Sequence, residues 1–147
     1  MKTTDKPRFQ DFQIDGVKHI SPEDANKLLA ENSAVLIDVR EEHEIVKNGV
    51  GTKNVLYHPM SMILDRIDNI SSNQNIITGC PGGIRSTKVA NLLIMKGFQN
   101  VANLDGGYDL WRSKGLPWEN HTDYDLPDGC GSGCAGCGSA VNSKGCC

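Results

Sequence analysis

One cysteine lies in a segment whose residue types suit nucleophilic chemistry. Cys80 follows the apolar run 75–78 and precedes the sequence Pro-Gly-Gly-Ile-Arg-Ser. Paired glycines let a loop curl until successive N–H groups point at one centre, and a helix that starts behind the loop adds its N-terminus. Such an arrangement stabilises an anion. We therefore predict that Cys80 is a thiolate nucleophile just before a helix.

The length of this loop narrows the chemistry. Six residues run from Cys80 to Arg85, one fewer than in phosphatases of the cysteine type, whose longer loop holds a tetrahedral phosphate. A shorter loop suits a single sulfur atom carried on the cysteine. A cysteine phosphatase or arsenate reductase of the same architecture is the alternative enzyme. A small buried cysteine beside a turn is the alternative without chemistry.

The elements that must position this loop alternate along the chain. Short apolar runs predict strands over 14–19, 34–39, 55–57, 75–78 and 101–104, and helical spacing or capping predicts helices over 21–32, 62–70, 86–96 and 108–114. This alternation predicts an α/β fold with a central parallel sheet of about five strands and helices on both faces. Sites in such sheets lie at the carboxyl ends of strands, where Cys80 and the segment 38–40 both fall.

The length, charge and apolar runs of the chain limit the number of domains and the kinds of partner that we expect. The 147 residues fit one domain, which we place at 14–127 between a flexible N-terminus over 1–13 and a Gly/Cys-rich flexible tail over 128–147. A formal charge of −3 excludes an electrostatically driven nucleic-acid binder. The longest apolar run, 92–95, is too short to span a bilayer, and the N-terminus has no secretory core. We expect a cytoplasmic monomer that binds neither nucleic acid nor membrane.

Several segments resemble motifs of the single-domain rhodanese family of sulfurtransferases, and they occur in the same order as in that family. Residues 20–23 resemble its opening strand-to-helix step, 36–41 its (I/L)DVRE motif, 80–86 its CxxGxRS loop, 104–111 its LxGGxxxW motif and 115–117 the close of its domain. The match runs roughly from Ile20 to Trp118. One such motif would be weak evidence, whereas several in the order of the family indicate a rhodanese-like fold.

The resemblance implies a reaction and a set of site residues. Cys80 would accept a sulfane sulfur from a donor such as thiosulfate, hold it as a persulfide and pass it to cyanide or a thiol. The partners would be a small-molecule donor and a thiol or protein acceptor, with no cofactor required. The residues expected to bind substrate are Gly82, Gly83, Ile84, Arg85, Ser86 and Arg40. Arg85 would face the substrate or form a structural pair, and Asp38 would support the site by orienting arginine or backbone groups.

Two departures from the family pattern affect these expectations. Residues 48–55 lack the His and Pro of the GHIPGA segment that many members have. Efficient users of thiosulfate often have cationic residues after the cysteine, whereas Pro81 and Ile84 are apolar and only Arg85 is charged. We therefore expect a modest reaction with thiosulfate and a physiological donor that is less anionic or is a protein persulfide.

The C-terminal tail concentrates the other cysteines. They are Cys130, Cys134, Cys137, Cys146 and Cys147, all within the last 18 residues, so they cannot cross-link the domain. Their spacing is compatible with a thiophilic metal such as zinc, although no metal ligand is assigned. The alternatives are a thiol arm that relays sulfur from Cys80 and a tail without a fixed partner. A non-catalytic module that carries sulfur or metal through this tail is the third functional hypothesis.

Overall fold

The computed structural model describes residues 1–121, and its architecture confirms the predicted α/β class. The strands are β1 (Lys18–Ile20), β2 (Val35–Asp38), β3 (Asn48–Val50), β4 (Val55–Tyr57), β5 (Ile76–Gly79), β6 (Val101–Leu104) and β7 (Trp118–Asn120). The helices are α1 (Pro22–Ala30), α2 (Glu42–Ile45), α3 (Ile63–Arg66), α4 (Ile84–Met95) and α5 (Gly107–Ser113). Five strands form one parallel sheet in the order β1-β6-β5-β2-β4, and β3 pairs antiparallel with β7.

The central sheet separates two apolar layers. Successive residues of a strand point to opposite faces, so a continuous apolar run fills both layers at once. Ile37 and Ile76 belong to the layer that includes residues of α3 and α4, whereas Leu36 and Ile77 belong to the layer that includes residues of α1 and α5. This explains why the central strands read as uninterrupted apolar runs in the sequence. The register pairs Asp38 with Gly79, so β2 and β5 end side by side.

Some elements differ from the prediction. The helix expected over 62–70 is divided into a 3-10 turn at 60–62, helix α3 and a second 3-10 turn at 67–69. Ile63 and Ile70 are buried and anchor this segment, but the Asp and Asn residues within it have low helix propensity. The antiparallel pair of β3 and β7 is not predicted, because each strand has only three residues and neither alternates in polarity.

Part of the segment 1–13, which we predict to be a flexible N-terminus, contacts the domain. Thr4 forms an antiparallel bridge with His19, with N–H to O distances of 2.8 Å in both directions. The main-chain N–H groups of Arg8 and Phe9 donate to the carboxylate of Asp105 at 2.7 and 3.1 Å. The segment is polar in composition, but backbone groups anchor it to β1 and to the loop after β6. No helix of residues 1–121 is long and apolar enough to cross a membrane.

Candidate active site

Cys80 lies between the end of β5 and the start of α4, with only 1 % of its surface exposed. Its Sγ accepts hydrogen bonds from the main-chain N–H of Gly83 at 3.1 Å and of Ser86 at 3.3 Å. The hydroxyl Oγ of Ser86 is also 3.3 Å from Sγ. The loop therefore directs two amide donors at the sulfur, which is the arrangement that stabilises a thiolate.

Three other amides of the loop form no hydrogen bond within residues 1–121. Among the described residues, the N–H groups of Gly82, Ile84 and Arg85 have no hydrogen-bond partner, and Pro81 has no N–H. Of the successive loop N–H groups that we expect to point at one centre, those of Gly83 and Ser86 point at Sγ. Ile84 and Arg85 belong to the first turn of α4, where unpaired N–H groups favour an anion.

The curl of the loop depends on Gly83. This residue precedes α4 with φ of +90°, a left-handed conformation that glycine adopts at little cost. A Cβ at this position would also collide with the side chain of Gln10. The close approach of Gln10 is therefore a second reason for glycine here.

Gln10 connects the loop to the rest of the fold. Its Nε2 donates to the carbonyl O of Gly83 at 3.2 Å and to Oγ1 of Thr87 at 3.1 Å. Its Oε1 accepts from Nδ2 of Asn103 and from the N–H of Gly106, both at 3.0 Å. Gln10 is not predicted as a site residue from the sequence, because a glutamine in a polar segment gives no sign of a contact so distant along the chain.

Helix α5 holds the other side of the loop. The N–H groups of Tyr108 and Asp109 donate to the carbonyl oxygens of Cys80 and Pro81 at 2.9 and 3.0 Å. A Cβ on Gly107, which has φ of +65°, would lie within 3.0 Å of both carbonyl groups. The second glycine of the GG motif therefore allows the start of α5 to touch the backbone of the Cys80 loop.

Arg85, predicted to bind substrate or to form a structural pair, is paired with Glu44 of α2. Its Nη1 and Nη2 donate to the two carboxylate oxygens of Glu44 at 2.7 and 2.9 Å. This bidentate bond lowers the pKa of Glu44 to about 2 and raises the pKa of Arg85. The guanidinium is accordingly bound to the protein rather than presented as a free cation.

Arg40, also predicted to bind substrate, is buried, and Asp38 and Asn48 hold its guanidinium. Its guanidinium donates to the carboxylate of Asp38 at 2.8 to 3.2 Å and to Asn48 at 2.8 Å, and only 4 % of the side chain is exposed. Its guanidinium carbon lies 5.1 Å from the centre of the Tyr108 ring. The carboxylate of Asp38 thus orients Arg40, which joins the end of β2 to the start of β3.

A buried polar chain extends from the sulfur into the sheet. The Ser86 hydroxyl donates to Oδ1 of Asn103, and Nδ2 of Asn103 is 3.1 Å from Nδ1 of His19. Burial lowers the pKa of His19, so the neutral ring accepts through Nδ1. Since Ser86 has a single proton and gives it to Asn103, its oxygen can accept from the Cys80 thiol but does not donate to Sγ, so the donors to the sulfur are the two main-chain amides.

A cavity of about 230 Å³ lies beside the loop. It is lined by Pro81 and by Arg40, Glu44, Lys47, Asn48, Tyr108, Asp109, Arg112 and Trp118. Residues 1–121 contain no group of three or more His, Cys, Asp or Glu side chains that could bind a metal ion. The tail cysteines Cys130, Cys134, Cys137, Cys146 and Cys147 lie outside the described residues.

Comparison with known proteins agrees with this architecture. The family model described as "Rhodanese-like domain" matches residues 21–114, and the chain belongs to this family. Rhodanese-like domain-containing protein 17 of Arabidopsis thaliana is 35% identical over 105 residues, which cover 63% of this chain and 67% of that protein.

Solved structures share the fold. The rhodanese-like domain of the Alr3790 protein from Anabaena superposes with a TM-score of 0.64 at 19% identity, covering 86% of this chain and 95% of that one. The polysulfide-sulfur transferase homodimer of Wolinella succinogenes superposes with a TM-score of 0.60 at 27% identity, covering 75% and 82%.

Proposed function

We propose that the protein is a sulfurtransferase that acts through a persulfide on Cys80. The thiolate attacks the outer sulfur of a donor such as thiosulfate, the sulfur–sulfur bond of the donor breaks, and sulfite leaves with the electron pair. Charge balances, since a thiolate and a dianion give a persulfide anion and a dianion. Attack by cyanide or a thiolate on the outer sulfur then releases thiocyanate or a new persulfide and restores the Cys80 thiolate.

The observation that carries this proposal is that two loop amides bind Sγ while three others beside them are unpaired within the described residues. Gly83 and Ser86 donate to Sγ, whereas the N–H groups of Gly82, Ile84 and Arg85 are unpaired among the described residues. A persulfide places its negative charge on an outer sulfur about 2 Å beyond Sγ, and unpaired amides beside Sγ suit that anion. We therefore assign Cys80 as the nucleophile and these amides as donors to the transferred sulfur.

The depth of Cys80 favours a narrow substrate atom. With only 1 % of the residue exposed, a terminal sulfur atom is a better fit than a tetrahedral phosphate or arsenate. Arg85 is bound to Glu44, so it is not a free cation for a phosphate dianion. These contacts favour sulfur transfer over the phosphatase and arsenate reductase alternatives.

Similarity to a sulfur-transferring protein supports the same assignment. The structure from Wolinella succinogenes that shares this fold is titled a polysulfide-sulfur transferase. Many sulfane-sulfur donors have the same reacting group, so we propose a persulfide, polysulfide or thiosulfate donor and a thiol or protein acceptor. No resident cofactor is needed for these steps.

The test is mass spectrometry of the full-length protein after incubation with a sulfane-sulfur donor. We expect the wild type to gain one sulfur atom on the peptide that contains Cys80, and to lose it on addition of cyanide with release of thiocyanate. Cys80→Ser should gain none. Sulfur that persists in the Cys80→Ser protein on the tail peptides would contradict the proposal, since the chemistry would then belong to those cysteines.

A further inference from the structure

The ion pair of Arg85 affects the donors that can reach Cys80. Arg85 is the only charged residue between Cys80 and Thr87. Two of its guanidinium nitrogens donate to the two carboxylate oxygens of Glu44, so the two side chains form a bidentate ion pair. The charge of Arg85 is therefore neutralised where an incoming anion would otherwise meet it.

Glu44 is itself fixed in place. Its Oε2 accepts from the main-chain N–H of Glu41 at 2.9 Å, and the Glu41 carboxylate accepts from the hydroxyl and N–H of Ser61 at 2.6 and 3.1 Å. The charge of Glu41 acts on Arg85 as well. Two carboxylates thus accompany one guanidinium, which gives this side of the loop a net charge of −1.

The outer face of the loop has no charged side chain besides Arg85. Gly82 is exposed and Ile84 is 50% exposed, so uncharged groups form this face. Arg40 is bound to Asp38. The cavity beside Pro81 adds two further cations, Lys47 and Arg112, and one further carboxylate, Asp109, so the nearest cation to the loop that Glu44 neutralises is Arg85.

We propose that Glu44 determines the donor preference of Cys80 by occupying the guanidinium of Arg85. Thiosulfate, a dianion, loses more attraction when the charge of Arg85 is neutralised than does a sulfane-sulfur donor with one negative charge or none. Glu44 is thus a specificity-determining residue that does not touch the reacting sulfur. This inference rests on the proposed sulfur transfer and adds to it a class of donor.

Two donors of nearly equal shape separate the effect of charge from the rest of the chemistry. Thiosulfate has two negative charges, and methanethiosulfonate replaces one oxygen by a methyl group and has one. Both give their outer sulfur to the Cys80 thiolate and form the same persulfide anion. Sulfite leaves from thiosulfate and methanesulfinate from methanethiosulfonate, each with the electron pair of the broken bond.

The experiment measures kcat/KM for both donors, with cyanide as acceptor, in the full-length protein. Glu44→Gln keeps an acceptor for the N–H of Glu41 but releases Arg85, so the ratio of thiosulfate to methanethiosulfonate should rise roughly three- to tenfold. The gain should be lost in Glu44→Gln with Arg85→Gln. The control Glu23→Gln, which breaks a similar pair with Lys114 on the distant α1–α5 side, should leave the ratio unchanged.

Ionic strength supplies a second test on the Glu44→Gln protein. Its unpaired Arg85 attracts the dianion through a charge interaction that added KCl screens, so the rise of its donor ratio over that of the wild type should shrink as the salt concentration increases. A rise that is independent of salt would overturn the inference, as would a Glu44→Gln protein that loads sulfur normally with an unchanged ratio. A gain that persists in the double variant would exclude Arg85 as its cause. If neither donor loads the wild-type Cys80, the proposed function itself fails.

Discussion

The side-chain amide of Gln10 donates a hydrogen bond to the carbonyl oxygen of Gly83, 73 residues further along the chain. The N–H of the same Gly83 donates to the sulfur of Cys80. Gly83 is therefore the single residue that links Gln10 to the reacting sulfur, although Gln10 comes from a segment whose sequence indicates no role. Through this contact the N-terminal residues set the orientation of the Cys80 loop.

Replacement of Gln10 tests this relationship. Gln10→Ala would leave the carbonyl of Gly83, the N–H of Gly106 and the amide of Asn103 with one partner fewer, at a cost of about 1–3 kcal/mol in the free energy of unfolding. We expect slower alkylation of Cys80 by iodoacetamide at neutral pH, because the Gly83 amide loses its support. Gln13→Ala, at an exposed position nearby, is the control. Equal alkylation rates in the two variants would contradict a role for Gln10.

Two glycines with similar backbone angles separate conformational strain from contact with the loop. Gly107 has φ of +65° with the carbonyls of Cys80 and Pro81 against it, whereas Gly115 has φ of +72° and open space. Alanine at either position should cost roughly 1–2 kcal/mol for the left-handed conformation. Only Gly107→Ala should also abolish sulfur loading of Cys80, measured by mass spectrometry. Loading by Gly107→Ala at the rate of Gly115→Ala would refute this assignment.

The pair of Glu44 and Arg85 predicts an acid-dependent loss of stability. The pKa of Glu44 is lowered from its ordinary 4.5 to about 2 by Arg85. A lowered pKa stabilises the folded state above pH 4.5, and this contribution disappears as the pH falls toward 2. Glu44→Gln should therefore be on the order of 1–2 kcal/mol less stable than the wild type at pH 7. Urea unfolding at several pH values should show this difference shrinking below pH 4.5, and a difference independent of pH would argue against the pair.

The buried pair of Asp38 and Arg40 predicts a larger effect on stability. The Asp38 side chain is completely buried, so Arg40→Gln leaves a carboxylate without its cation in the interior. We expect a loss of about 3–5 kcal/mol in the free energy of unfolding. Lys114→Gln, which breaks the more exposed pair with Glu23, should cost about 1 kcal/mol or less. Similar losses in the two variants, measured by urea unfolding, would show that Arg40 is not the internal partner described here.

The sequence indicates those features that depend on local residue types. The buried strands read as apolar runs, and the position of Cys80 between a strand and a helix follows from its neighbours. The partners of Arg85 and Arg40 could not be predicted in the same way, because Glu44 and Asn48 come from elements too short to give a periodic signal. Gln10 could not be predicted, because its contacts depend on the tertiary packing of a segment without regular structure.

The polar chain and the loop contacts also include residues that lie outside the segment matched by the family model. The family match covers residues 21–114, yet Gln10 and His19 precede it and Trp118, which lines the cavity beside the loop, follows it. A recombinant fragment trimmed to the matched residues would retain Cys80 and the motifs at 36–41, 80–86 and 104–111. It would lack the side chain that supports Gly83 and the edge strand β1, and so would report on an altered site.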